Sequence, residues 1–427
     1  MKILIQNATL ISMSTNREPL ENEMDILIED GTIKQIGKQI KCDAEKVIDA
    51  TGKVVMPGLI NTHAHIPMSI FRETLDGYTL QDWLEQKIWP MEDKLTNEDI
   101  YYASMLSFIE MIKTGTTTIN DMYFMTEDIV KAALDTGVRL QTTRTLQSLA
   151  GKGGARIQEL EELIQKYRNQ YETISLNIGI HGFYTSNAPY IEQCANLARK
   201  YQLPVHIHFC ENAKEVEDIQ REYQVQSPVE LIQQYFKGLH VILAHAVKLS
   251  QQEIAALKES DISVSHCPVS NLKLGCGIAN IAYMREQGIT VSLGTDGQGS
   301  GSNLDLFETM KYTTLLQKGM LENPKELPAY EVLKMATVNG AKALQLEEKI
   351  GSIEQGKQAD IIILNLNHVT TIPVNNVFSE IVYNVKGTNV ETTIVNGKIL
   401  MENGVLVYPK EQEIYQACEK IIERIKN

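Results

Sequence analysis

Apolar and polar residues alternate over the first fifty positions. Short strands are predicted at Lys2–Leu10, Met24–Glu29, Thr32–Ile36 and Lys46–Asp49. Asp30-Gly31, set between two alternating runs, signals a hairpin. The same texture returns at Asp360–Leu364, Val390–Val395 and Val405–Val407, with turns at Gly356, Asn396-Gly397 and Asn403-Gly404. Strand-rich segments at both ends predict one small β-sandwich domain built from residues 1–53 and 350–410. Beyond it, Ile414, Ala417, Cys418, Ile421, Ile422 and Ile425 recur at helical spacing, so residues 411–427 are predicted to form a C-terminal helix.

Between the two ends the pattern becomes strand, then helix, repeated. Strands are predicted at Val54–Ile60, Thr116–Asn120, Arg139–Thr145, Ser175–Ile180, Pro204–Phe209, His240–Ala244, Ile262–His266 and Ile289–Gly294. Helical segments such as Asn97–Lys113 and Glu127–Asp135 lie between them, and Gly151–Gly154 reads as a mobile loop. Eight such units over residues 54–349 have the number and spacing of an α/β fold of the (β/α)₈ TIM-barrel type.

Composition narrows the class of function. The chain has 427 residues, 43% hydrophobic and 22% charged, which is ordinary globular material. With 40 basic and 54 acidic residues the formal charge is −14, which disfavours nucleic acid or an anionic membrane as partner. The six cysteines show no CxxC and no short-range pairing, as expected of buried free thiols in a reducing cytoplasm. The N-terminal apolar run is too short for a signal peptide, and no stretch is long enough for a membrane span. A cytoplasmic enzyme acting on a small molecule fits this balance; a homo-oligomer is left open.

The candidate chemistry follows from the ends of the predicted strands. In such barrels active sites form at the C-terminal ends. Of the nine histidines only His240 and His368 fall outside that ring; His63, His65, His181, His206, His208, His245 and His266 all lie in it. His63 and His65, at i and i+2, share a strand face and form half of a divalent-metal site. Adding the fifth-strand His208 and the eighth-strand Asp296 gives a predicted ligand set of three imidazoles and one carboxylate. That set suits Zn²⁺, with iron as the alternative. His206, about one pleat deeper, is expected to be hydrogen-bonded inside the barrel, and the role of His266 is left open. Glu211, three residues past His208, reads either as an acid at a helix start or as a proton shuttle for hydrolysis. Asp296 is placed to accept a proton from the attacking water, and His245 to orient that water.

Five separated segments then carry a resemblance: PGLINTHAH (57–65), HIHFCEN (206–212), His245, SHCPVSNLKLG (265–275) and LGTDG (293–297). Together they resemble the metal-dependent amidohydrolase superfamily, most nearly its 5-methylthioadenosine/S-adenosylhomocysteine deaminases and more loosely its chlorohydrolases. The resemblance covers nearly the whole chain. It implies one metal held by His63, His65, His208 and Asp296, because the fourth strand ends in Gly179-Ile180-His181 and lacks the bridging lysine of binuclear members. It also implies substrate contacts: Glu92 on the ribose hydroxyls, Arg144 and His181 at the pocket wall, Glu211 on the purine ring, and Arg156 on a substrate carboxylate. Two segments depart from the family, Ile180–Tyr184 and Gln298–Asn303, and both border the expected pocket.

The implied reaction is hydrolytic deamination of an adenine nucleoside or thioether, such as methylthioadenosine, S-adenosylhomocysteine or an adenosine-like compound. The alternatives are a deaminase or chlorohydrolase of guanine, an oxidised purine or a triazine, and a non-enzymatic scaffold on the same barrel.

Overall fold

The computed structural model describes every residue except Leu75, Lys152, Pro409 and Asn427, and at Ala150 the backbone alone. Its centre is a ring of parallel strands: Leu59–Ala64, Thr116–Asp121, Arg139–Thr142, a fourth strand in two pieces, Val205–Phe209, Val241–His245, Ile262–His266 and Thr290–Leu293. The fourth strand breaks at Asn177. Ile174–Leu176 pairs with the third strand and Ile178–Ile180 with the fifth. Side chains seal the seam between the eighth strand and the first: Asn61 Nδ2 donates to Thr295 Oγ1 at 2.7 Å, and Thr62 Oγ1 donates to the Leu293 carbonyl at 2.9 Å.

Alternation decides what fills the barrel. In Ile262–His266 the serines face inward, with Ser265 Oγ 2.6 Å from Thr62 Oγ1, and Val264 packs outward into the main core. In Val205–Phe209 the inward positions are His206 and His208, while Ile207 and Phe209 join that outer core. The bottom is plugged by Ile60 and Ile242 against Ala341, Leu344 and Ile350. A dry floor therefore lies beneath a polar, histidine-rich upper layer.

The sequence reading needs one correction at the first strand. Val54–Ile60 is not one element. Lys53–Pro57 belongs to the small domain, pairing with Ile361–Asn365, and the barrel strand begins at Leu59. Gly58 makes the transfer, where a Cβ would stand 2.2 Å from the Thr117 side chain. The small domain is a nine-stranded sheet from both chain ends. Its i, i+2 isoleucines (Ile3/Ile5, Ile26/Ile28, Ile361/Ile363) share one core. Lys398–Glu402, which the sequence pattern did not reveal, is one of its strands. Gly153 and Gly154 open the helix Gly153–Tyr167 and are not loop.

The C-terminal helix, Glu411–Lys426, buries Ile414, Cys418, Ile421 and Ile425 in the barrel's outer core. All six cysteines are free, five of them buried. Among the described residues no helix is long and apolar enough to cross a membrane.

One buried ion pair joins the two layers. Arg139, at the base of the third barrel strand, reaches Asp360 through Nε at 2.7 Å and Nη2 at 3.0 Å. Asp360 also accepts the Asn396 backbone N–H at 2.7 Å. Removing one partner strands a buried charge, so Asp360→Ala is expected to cost about 3–5 kcal/mol in urea unfolding. A loss below about 1 kcal/mol would reject this role for the pair.

Candidate active site

At the upper rim the strand ends converge. A register shift between Asn61 and Ala64 lets both Thr62 and His63 face the interior, and His65 follows just past the strand end. The His63 ring centre lies 4.9 Å from those of His65 and His208. Asp296 Oδ1 lies 3.1 Å from His65 Nε2 and 3.5 Å from His63 Nε2, and His208 Nε2 is 3.3 Å from His65 Nε2. In two overlapping groups, His63/His65/His208 and His63/His245/Asp296, all ligand atoms lie within 4.8 Å of one another.

These residues fit a divalent cation. His65 Nδ1 donates to the Met122 carbonyl at 2.6 Å and His208 Nδ1 to the His181 carbonyl at 2.5 Å, so both rings turn Nε2 toward the common centre. His63 Nε2 is buried there without a hydrogen-bond partner. Burial pushes the His63 imidazole down to about 3 and His208 well below its ordinary range, leaving both neutral and ready to ligate. Burial also opposes charge on His65, but Asp296 outweighs it and lifts the ring to about 9. Asp296 itself is pushed up by burial and pulled further down by His63 and His65. Its other oxygen, Oδ2, accepts Ser270 Oγ at 2.5 Å and Ser300 Oγ at 2.7 Å, while Oδ1 accepts the Gly297 backbone N–H at 2.9 Å and faces the centre.

His245 is brought in by backbone conformation. It pairs in register with the outward-facing Phe209, so alternation alone would aim it away from the barrel. A left-handed φ of 74° at His245, with φ 48° at Ala246, turns the chain at the strand end. The ring then stacks at 5.5 Å on His208, and Nδ1 donates to Asn271 Oδ1 at 2.9 Å. His245 thus stands as near the centre as the predicted ligands do. Asp296 has φ 62°, another left-handed residue at a strand end.

Glu211 is buried beside this cluster, its Oε1 4.0 Å from His245 Nδ1 and 3.9 Å from the Cys276 thiol. It does not serve the following helix. Asn212 caps that helix, and Glu215 is the acid of its first turn. Glu215 was not anticipated, although Asn212-x-x-Glu215 has the spacing of a capping motif. Its carboxylate accepts the backbone N–H groups of Cys210 (2.9 Å) and Glu211 (2.7 Å), fixing the bend that aims Glu211. Burial raises Glu211 above the ordinary carboxylate range, His245 opposes the shift, and Asp296 adds to it.

The cluster opens into a cavity of about 1220 Å³. His65, His208, His245, Asp296 and Glu211 line one part of it; Glu92, Tyr123, His181, Arg144 and Arg156 line the rest. Glu92 is held by the Tyr123 hydroxyl, which donates to Oε1 at 2.5 Å. Burial lifts its carboxyl to about 7, with Tyr123 pulling the other way. Arg144 reaches the cavity wall but spends Nε on Glu159 at 2.6 Å. Arg156 donates to the Gln147 carbonyl at 2.6 Å. His181 takes its place at the fourth strand end, its ring 5.0 Å from that of His208.

The remaining histidines separate by parity. His206 faces inward one layer below, with Nε2 2.9 Å from His63 Nδ1 and Nδ1 3.2 Å from Asn120 Nδ2. Both of its nitrogens are used, as expected of a histidine inside the barrel. His266 registers with the outward-phase Leu293, is buried, and has neither nitrogen paired. Sequence reasoning also missed Ser270, Ser300, Asn271 and Tyr123. Single serines, asparagines and tyrosines just past strand ends carry no pattern.

The model of the amidohydrolase family matches residues 54–400. A 5-methylthioadenosine/S-adenosylhomocysteine deaminase of Syntrophomonas wolfei is 39% identical, covering 100% of this chain and 99% of its own. A 5'-deoxyadenosine deaminase of Methanobrevibacter smithii is 40% identical over 99% of each chain. Among solved structures, an adenosine deaminase of Xanthomonas campestris with bound zinc superposes at a TM-score of 0.95 with 27% identity, over 99% of this chain and 98% of that one.

Proposed function

Because the chain belongs to the amidohydrolase family, we propose that its site hydrolytically deaminates an adenine nucleoside or its 5'-thioether, giving the inosine analogue and ammonia. The observation that carries this reading is one cavity joining the histidine–aspartate centre and Glu211 to an acceptor suited to a ribose diol, Glu92. Its relatives named as deaminases of methylthioadenosine, S-adenosylhomocysteine and 5'-deoxyadenosine support it over their full length.

His63, His65, His208 and Asp296 would hold one divalent ion, Zn²⁺ before iron, with His245 beside them. When bound, the ion supplies Lewis acidity that makes water nucleophilic at neutral pH. The chain's own groups do the proton work. Asp296, fixed by two serine hydroxyls, accepts a proton through Oδ1. His245, fixed by Asn271, orients the attacking water. Glu211, its carboxyl raised by burial, delivers a proton to the purine ring and recovers one from the added hydroxyl as the carbonyl forms, while the proton held by Asp296 goes to the leaving amine. Glu92 accepts the ribose hydroxyls, and His181 closes the side of the pocket near His208. Arg144 and Arg156 suit the carboxylate of an amino-acid tail, Arg144 by exchanging Glu159 for substrate.

Ammonia release from purified protein tests the reading, with adenosine, 5'-deoxyadenosine, methylthioadenosine, S-adenosylhomocysteine and guanine as substrates and a chlorotriazine assayed for chloride. An adenine nucleoside is expected to lead in kcat/KM. Preference for guanine or the triazine would overturn it.

A further inference from the structure

We propose that Tyr123 is a positioning residue of the nucleoside pocket, holding one Glu92 oxygen so that the carboxylate is presented to the substrate diol. The inference rests on the ribose reading of Glu92 above. Glu92 sits in a short helical turn, Trp89–Glu92, reached through the long connection after the first barrel strand. Among the described residues it forms no ion pair, and its hydrogen bond is the one from Tyr123. That hydrogen bond is, among the described residues, the polar contact that fixes the direction of the carboxylate.

Tyr123 is rigid where Glu92 is not. It follows the second barrel strand, is 3% exposed, and stacks on Phe124 with ring centres 4.1 Å apart. Its carbonyl accepts both the Thr145 backbone N–H, at 2.9 Å, and Thr145 Oγ1, at 2.8 Å. The preceding carbonyl, of Met122, is the one that orients His65. Two consecutive residues therefore fix both ends of the reaction space, Met122 at the reacting centre and Tyr123 at the ribose. That shared anchor sets the span between the purine C6 and the sugar hydroxyls.

Charge points the same way. A diol binds the ionised carboxylate, which is acceptor-only. The groups facing Glu92 are Tyr123, His65 and Asp93; burial and Asp93 favour the neutral acid, while Tyr123 and His65 favour the carboxylate. With the carboxyl near 7, nucleoside binding weakens as pH falls through that value. Removing the Tyr123 hydroxyl raises the carboxyl further and moves this limb to higher pH.

The experiment compares wild type, Tyr123→Phe, Glu92→Gln and the double variant on adenosine and on 2',3'-dideoxyadenosine across pH, with metal content measured for each. For Tyr123→Phe, KM for adenosine is expected to rise about tenfold, the scale of one hydrogen bond to a charged group. Its kcat should stay within about threefold, and the acid limb of kcat/KM should move up. The dideoxy analogue should respond to neither substitution. In the Glu92→Gln background the second change should add less than about twofold, as coupled partners do. Equal losses on both substrates, additive effects, or depleted metal in Tyr123→Phe would overturn the proposal. If wild type fails to distinguish the two substrates, the ribose reading of Glu92 falls first and takes this inference with it. If wild type distinguishes them and Tyr123→Phe changes nothing, only the role of Tyr123 fails.

Discussion

Replacing His208 by Ala is expected to strip the metal and abolish turnover together. His208 has its Nδ1 proton committed to the His181 carbonyl, so its Nε2 lone pair has one use, at the shared centre. Loss of groups that merely orient a ligand costs about 10–100-fold in metal affinity. Loss of a direct ligand should exceed that. Zinc titration against a chromophoric chelator, with elemental analysis of the purified variant, reads the effect apart from activity. His266→Ala is the matched control: it is a buried strand-end histidine on the outward parity, and it should keep the ion. Full occupancy in His208→Ala would remove it from the ligand set. Depletion in His266→Ala would mean that strand parity misassigns the seventh strand.

The same parity explains how far the sequence could be read. Strands with strict alternation are legible. Ile262–His266 and Val390–Val395 fall where the pattern places them, and so does the helix Asn97–Lys113, because one face of each must be apolar. The apolar run through Val54–Ile60 misled because apolar residues continue across a change of sheet. Hydrophobicity reports burial and says nothing of which partner does the burying, and Gly58 marks the change only through a close approach to Thr117. Lys398–Glu402 was hidden by its brevity and its lysine and glutamate ends, as strands near a sheet's edge often are.

In the site, histidines were legible because they are few and cluster at strand ends. Their geometry was not. His245 and Asp296 reach the centre through left-handed backbone at non-glycine residues, a conformation that no residue pattern in this chain announces. His63 joins Thr62 inside by a register shift, which strict alternation would forbid. Of the partners that fix the reactive groups, Glu215 and Ser300 lie four residues beyond Glu211 and Asp296, on the helices that follow, whereas Ser270, Asn271 and Tyr123 are 26 to 31 residues away. Only the closed barrel brings Ser270, Asn271 and Tyr123 beside Asp296, His245 and Glu92. Arg144 lines the pocket and also pairs with a carboxylate, two readings open to the sequence, but that the partner is Glu159 on the next helix was not legible.

Glu211→Gln is expected to lower kcat by about 10²–10⁴ while leaving the metal in place. The argument begins from what Glu211 is spared. Asn212 and Glu215 satisfy the helix start, so capping does not require the Glu211 carboxylate. It instead lies buried at 4.0 Å from His245, its carboxyl raised by burial above the ordinary carboxylate range. An amide has nearly the same shape and still accepts from the Cys276 thiol, but it cannot exchange a proton, so the substitution isolates proton transfer from packing. Glu215→Gln supplies the contrast. It keeps one acceptor for the two backbone N–H groups and loses the other, so its effect should be smaller and should arise through displacement of Glu211. Metal content, KM for a substrate analogue and melting temperature should change little in Glu211→Gln, with the loss confined to kcat. A drop of less than about tenfold would reduce Glu211 to a buried wall residue and move the ring-proton donor elsewhere, with His245 the nearest group able to replace it.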